Sequence, residues 1–272
     1  MRKSSKTTFL RTLAFLVIFT FFPVTTFAGT QNPTLASAPR GTYNCPAGTV
    51  CSTNWSGFAV TGPSGSVSNV KGSWVVPAVK CTSKTTYSSY WVGIDGYNSN
   101  TVEQTGTDSD CSSGSARYYA WYEFYPAASV QIPGFAVKPG DTVTAEVSYS
   151  TSSGQFTTTI TDGSQSYTTS SAVSGAARSS AEWIVERPVL CTRFHCKLTS
   201  LSNFGTVSLG SVYTSISGTN YATLSGASGS IGSFGPSVVR ITMVNSAGST
   251  LAEPNPLSAD GTSFTETWYA SS

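Results

Sequence analysis

Three segments concentrate the residues able to do chemistry. They are Tyr90-Trp-Val-Gly-Ile-Asp-Gly96, running on to Val102-Glu-Gln-Thr-Gly106, then Ala120-Trp-Tyr-Glu-Phe-Tyr-Pro126, then Ala181-Glu-Trp-Ile-Val-Glu186. Carboxylates, a glutamine and tryptophans gather there in a chain otherwise rich in Ser, Thr, Gly and aliphatics. Common hydrolytic signatures are missing: there is no Gly-x-Ser-x-Gly elbow, no Asp-Thr-Gly or Asp-Ser-Gly, and no phosphate-binding glycine loop. A Ser-His-Asp triad would depend on His195, the sole histidine, which sits between Cys191 and Cys196 beside Arg193. Hydrolysis by this chain would therefore rest on carboxylates and amides.

The elements that must position these residues read as strands. Stretches rich in Val, Ile, Thr, Tyr, Phe and Trp, broken by Gly, Ser, Asn and Pro, recur at 69–76, 89–94, 117–125, 142–150, 155–161, 182–186, 206–209, 238–244 and 263–269. Many short strands with turn signals between them predict an all-β sandwich or barrel, which linear order alone does not separate. Alternation then assigns faces. Trp91, Gly93 and Asp95 share one face, opposite Tyr90, Val92 and Ile94. Tyr119, Trp121, Glu123 and Tyr125 share another, opposite Tyr118, Ala120, Tyr122 and Phe124. Glu182, Ile184 and Glu186 oppose Ala181, Trp183 and Val185. Gln104 points away from Glu103, and Asp108 joins Gln104 only if the strand continues through Gly106. Carboxylates framed by large aromatics suggest an outer sheet face that holds an extended ligand; a solvated face with aromatics packed beside single carboxylates is the alternative.

The rest of the chain limits the setting. Residues 1–28 read as an export signal, with Arg2, Lys3, Lys6 and Arg11 ahead of the apolar run 13–22 and Thr26-Phe-Ala28 as the cleavage site. That run is shorter than the roughly 20 residues a membrane span requires. Four of the 15 basic residues lie inside the signal, leaving 11 against 13 acidic ones. The mature chain thus carries no basic excess to suggest nucleic acid or a membrane surface as partner. Charged residues make up 10% of the sequence, against about 25% in average globular domains. Few carboxylates to protonate and few cations to repel make acid inexpensive for such a fold. A neutral surface without acid adaptation fits the composition equally well.

Six cysteines in an exported chain predict three disulfides, with 15 pairings open. Cys45 with Cys51 and Cys191 with Cys196 are close enough to close small loops, which leaves Cys81 with Cys111. The absence of a Cys-x-x-Cys pair and the single histidine argue against zinc, and no cofactor is called for. Residues 53–272 read as one domain, preceded by an N-terminal arm or short pro-segment over 29–52, in a secreted protein whose default state is a monomer.

Taken in order, Trp91-Val-Gly-Ile-Asp95-Gly, Glu103-Gln104-Thr-Gly-x-Asp108, Ala120-Trp121-Tyr-Glu123-x-Tyr-Pro126 and Ala181-Glu182-Trp-Ile-Val-Glu186 resemble the glutamic peptidases, or eqolisins. Asn54-Trp55-Ser-Gly57, Gly72-x-Trp-Val-Val-Pro77, Phe204-Gly205 and Gly235-Pro-Ser237 extend the resemblance over roughly 53–244. It implies a concanavalin A-like β-sandwich of two antiparallel sheets that cuts peptide bonds of polypeptide substrates in acid. By motif, the catalytic pair would be Gln104 and Glu182, with Trp91, Asp95, Asp108, Trp121 and Glu123 lining the cleft. Glu186, the motif's second glutamate, is not expected to be the base.

Physical chemistry supports that division of roles. Amide hydrolysis needs a base for water, a donor for the oxyanion and an acid for the leaving amine. A glutamate can serve as base and then acid, and a glutamine amide donates without titrating. An unperturbed Glu titrates at about 4.3, so it stays partly ionised in mild acid, where histidine is protonated. The chain departs from the better-known fungal members in having only 29–52, with Arg40 alone, in place of a longer basic pro-segment. Three cysteine pairs and the Cys191–Cys196 segment after the catalytic strand are also unusual. Two other classes use the same residues differently. A sandwich glycosidase would pair Glu123 with Glu182 around a sugar, and a lectin-like module would keep the aromatic cleft without turnover. Gln104 discriminates, because neither class needs an amide there.

Overall fold

A computed structural model of the chain describes residues 45–191 and 196–272. The expected signal 1–28, most of the arm 29–52 and His195 lie outside the described residues. Strands are numbered in chain order. The first sheet runs, neighbour to neighbour, β1 (Val50–Ser52), β17 (Val238–Val244), β2 (Trp55–Thr61), β11 (Ser180–Glu186), β4 (Ser89–Ile94), β5 (Val102–Ser112), β6 (Ser115–Tyr125) and β7 (Val130–Gln131). The second runs β18 (Thr250–Pro254), β19 (Phe264–Trp268), β14 (Thr206–Leu209), β3 (Val67–Val75), β8 (Thr142–Ser150), β9 (Gln155–Asp162) and β10 (Gln165–Ser171). The hairpin of β15 (Tyr221–Leu224) and β16 (Ala227–Ser230) continues the same edge of β3 beyond β14. All pairings named are antiparallel except β1 with β17, and β17 also pairs with β18, which joins the sheets at one edge. A separate small hairpin pairs β12 (Val189–Cys191) with β13 (Cys196–Leu198). The architecture is the expected β-sandwich.

The core lies between the layers, because each strand turns its apolar side inward. Phe58, Val60, Tyr90, Val92, Ile94, Ala120, Ala181, Trp183 and Val185 of the first sheet meet Val70, Trp74, Val143, Ala145, Val147, Phe156 and Ile160 of the second. Indole donors tie the layers together: Trp74 Nε1 donates to Thr107 Oγ1 at 2.9 Å and Trp183 Nε1 to the Lys71 carbonyl at 3.0 Å. The cysteines pair as Cys45–Cys51, Cys81–Cys111 and Cys191–Cys196.

The outer face of the first sheet carries its own aromatic cluster. Trp55, Ala59, Trp91, Trp121, Ile184 and Ile241 pack together there, with Tyr97, Tyr119 and Val239 against them. These are the faces that alternation assigned to Trp91, Trp121 and Ile184. Strand β5 continues through Gly106, so Asp108 does share the face of Gln104.

Candidate active site

Register in the first sheet stacks the chemistry-bearing residues into rows. In the first row, Ala59 of β2, Glu182 of β11, Gly93 of β4, Gln104 of β5 and Glu123 of β6 are successive partners. Paired residues project to the same side, so Glu182 and Gln104 stand on one face two strands apart, about 10 Å between their Cα atoms. The residue between them has no side chain. A Cβ on Gly93 would lie 3.0 Å from Trp91 Cζ3 and 3.2 Å from Gln104 Cβ, so the Trp91 ring edge fills the floor that glycine leaves open. The second row is Gly57, Ile184, Trp91, Gly106 and Trp121, and the third is Trp55, Glu186, Ser89, Asp108 and Tyr119.

Hydrogen bonds link the rows. Gln104 Nε2 donates to Glu123 Oε2 at 2.6 Å, which fixes the amide and leaves Gln104 Oε1 without a protein partner. Neither oxygen of Glu182 meets a donor at hydrogen-bond geometry. Trp91 Nε1 donates to Glu186 Oε2 at 2.9 Å, and Asn54 Nδ2 to Glu186 Oε1 at 3.1 Å. Trp121 Nε1 donates to Asp108 Oδ1 at 2.6 Å. Each tryptophan of the second row is therefore held by a carboxyl of the third. Trp55 meets Trp91 edge to face, with centroids 4.9 Å apart. Asp95 follows the end of β4 with a positive φ of 71°, and its carboxyl accepts the backbone N–H groups of Arg178 and Ser179 at 2.6 and 2.9 Å. It ties the turn that leads into Glu182.

Burial governs the electrostatics. It pushes the Glu182 carboxyl well above its ordinary value, and the nearby Asp95 and Glu103 charges add to this. The Ser180 hydroxyl and Tyr97 backbone N–H lie close enough to oppose it. Glu123 is raised by burial against the Gln104 bond, Glu186 is pushed up to about 8 and Asp108 to about 6 by the same desolvation. Removing a charge from water without a counter-ion favours the neutral form. In acid this face is close to uncharged, and negative charge accumulates on it as pH rises. Among the described residues no group of His, Cys, Asp and Glu side chains is arranged to hold a metal ion.

Of the residues singled out from sequence, Gln104, Glu182 and Glu123 share the first row, with Trp91 and Trp121 beside it and Asp108 in the third. Asp95 sits at the row's margin. Glu182 and Glu123, the pair a glycosidase would need, are three strands apart with Gly93 and Gln104 between them. Sequence reasoning passed over Trp55, Tyr97, Tyr119 and Asp110 as site residues. Tyr119 was legible by parity with Trp121, and Asp110 by the same alternation that carries Gln104 to Asp108.

Comparison with known proteins places the chain in a family. The model of the peptidase A4 family matches residues 53–251. Aspergillopepsin-2 of Aspergillus niger is 30% identical over 241 residues, 80% of this chain and 78% of its own. Scytalidopepsin B of Scytalidium lignicola is 34% identical over 158 residues, 56% of this chain and 58% of its own. The crystal structure of scytalido-glutamic peptidase with a transition state analog inhibitor superposes with a TM-score of 0.64 at 23% identity, covering 80% of this chain and 98% of that one. Aspergilloglutamic peptidase from Aspergillus niger gives 0.55 at 27% identity, covering 68% and 99%. The chain belongs to the peptidase A4 family, the glutamic peptidases.

Proposed function

We propose that this protein is a secreted acid endopeptidase in which Glu182 and Gln104 carry the chemistry across Gly93. The observation that carries the reading is the first row itself: a buried carboxyl faces an anchored amide over a residue with no side chain. Ionised Glu182 takes a proton from water as the water attacks the peptide carbonyl, and passes it to the departing amine. Its raised proton affinity strengthens it as the base, and once protonated it stands as the acid for the departing nitrogen. Gln104 donates from Nε2 to the oxyanion, a contribution typically worth about 10² to 10³ in rate, while Glu123 holds the amide in place. Trp91 and Trp121 wall the row, Asp108 seats Trp121, and Asp95 orders the turn before Glu182.

The pH dependence follows from the same groups. The acid limb of activity reports ionisation of Glu182, and the alkaline limb reports loss of protons from the carboxyls around it. Residues 1–28 act as the export signal and 29–52 as an arm ahead of a monomeric domain over 53–272. Three disulfides support an oxidising destination. The test incubates the purified protein with a denatured protein and with a plant polysaccharide from pH 2 to 7. Expected is proteolysis confined to acid and unaffected by inhibitors of paired-aspartate peptidases. Release of sugar without proteolysis, or inhibition by those compounds, would overturn the reading.

A further inference from the structure

Beyond Asp108, β5 carries a second acid on the same face, Asp110, which pairs with Arg117 and lies outside the motifs that point to the reaction. Tyr119 Oη is 2.7 Å from Asp108 Oδ2 and 2.9 Å from Asp110 Oδ2. A phenol has one hydrogen. With both carboxyls ionised, only one of those contacts could be a hydrogen bond, and the other would press two electron-rich oxygens together. Both are satisfied when one carboxyl is protonated, donating to Oη while Oη donates to the other. The remaining oxygens are already engaged: Asp108 Oδ1 accepts Trp121 Nε1, and Asp110 Oδ1 accepts the Ser88 backbone N–H at 3.3 Å. The bridge thus stores one proton between two acids.

We propose that Asp110 and Tyr119 are positioning residues for the peptidase reaction: the proton shared by Asp108 and Asp110 through the Tyr119 hydroxyl keeps Trp121 seated beside Glu123 and Gln104, and its loss as pH rises unseats Trp121. The proposal rests on the peptidase reading above. Trp121 stands two residues from Glu123 on β6, on the same face, so its position sets the wall against which the Gln104–Glu123 bond is held. When the shared proton leaves, two negative charges face one phenol. Asp108 then has to give up either Tyr119 or its orientation toward the indole.

Other charged and titratable groups face the bridge. Arg117 of β6 lies over the Tyr119 ring at 4.9 Å and donates to Gln131 at 2.7 Å, Glu186 of β11 and Glu123 of β6 add negative charge, and the Tyr87 and Tyr90 phenols lie behind it. Arg117 is the cation among them and softens the second ionisation without replacing the proton. Burial and the neighbouring Asp108 both push the Asp110 carboxyl up, in keeping with a proton retained into mild acid.

Asp110→Asn tests this in the mature protein. An asparagine amide donates to Tyr119 Oη at every pH, so Tyr119 can always donate to Asp108. The pH at which kcat/KM halves on the alkaline side is expected to move up by about one unit or more. Tyr119→Phe, which removes the bridge, is expected to lower kcat/KM at the optimum by about threefold to tenfold. Without substrate, tryptophan fluorescence of the parent should show a pH step that is absent from Trp121→Phe and from Asp110→Asn. An Asp110→Asn profile that keeps both the parent's alkaline limb and its fluorescence step overturns the proposal. So does a variant that loses the step but keeps the limb, since the indole seat would then not govern the reaction. If Tyr119→Phe fails to fold, Asp110→Asn alone decides. A parent that cuts no protein sinks the peptidase reading, while the fluorescence step in Asp110→Asn still accepts or rejects the stored proton.

Discussion

Adjacent residues of β5 have opposite surroundings: Gln104 faces the aromatic cluster, while Glu103 enters the core among Ile94 and Phe124 with neither carboxyl oxygen hydrogen-bonded. Burial, with Asp95 adding like charge, pushes Glu103 up to about 9. Its folded pKa lies above the unfolded value of about 4.3, so its stabilising contribution is fully present below that pH and is lost as pH rises toward 9. Glu103→Gln removes the titration. Denaturation of the two proteins across pH should show the variant gaining on the parent by about 1.4 kcal/mol per unit between roughly pH 5 and 9; parallel curves would contradict this. Glu186 behaves alike with a value of about 8, and its work for Trp91 needs an acceptor and not a charge. At the centre of the row, Gly93 is required by closeness and not by conformation. A methyl there would push on Trp91 and Gln104 at 3.0 and 3.2 Å. Gly93→Ala is expected to cut kcat/KM by about tenfold or more, because small misplacements of catalytic groups are costly. Unchanged kinetics would show that the floor between Gln104 and Glu182 does not matter.

At the scale of elements, the site exists because β11, distant in sequence, inserts between β2 and β4. Gly57 permits this approach: it has a φ of 138°, and a Cβ on it would collide with the Trp183 carbonyl oxygen across the β2–β11 pair. Gly57→Ala should lower stability by about 2–3 kcal/mol, read as a lower urea midpoint with unchanged slope. Alternation made the faces of β4, β6 and β11 legible, since Trp91, Trp121 and Ile184 each oppose core residues one position away. Strand β2 escaped notice because Ser56 and Gly57 interrupt its apolar run, and β10 because Ser and Thr flank its only large residue, Tyr167. The order β11-β4-β5 is written in no local pattern. For that reason the sequence named Glu182 and Gln104 by resemblance but could not bring them face to face. Trp55 stood in the Asn54-Trp55-Ser-Gly57 motif, but without β2 its place on the site's face was not legible. The Cys81–Cys111 bridge closes 30 residues around the end of β5, and replacing both cysteines by alanine should cost about 2–4 kcal/mol.

For the molecule as a whole, eight of the 13 acidic residues are buried: six around the first sheet's site, Glu103 on that sheet's core side, and Glu266 between the sheets, where it is bonded to the Ser56 hydroxyl. Burial raises Glu103, Asp108, Asp110, Glu123, Glu182, Glu186 and Glu266 alike. A folded state that binds more protons than the unfolded chain is most stable in acid and weakens as pH rises. Composition alone left open whether few charges meant acid adaptation; the burial of most of those carboxyls favours stability in acid. Tm should be highest near or below pH 4 and fall steadily from about pH 5 to 9. A Tm higher at pH 7.5 than at pH 4 would contradict the account. The most direct test of the central claim is kcat/KM on a denatured protein substrate at the acid optimum for Glu182→Gln and Gln104→Ala, with tryptophan fluorescence confirming the fold. The account predicts a loss of at least about 10² in each. Activity within a few-fold of the parent in either variant would contradict it.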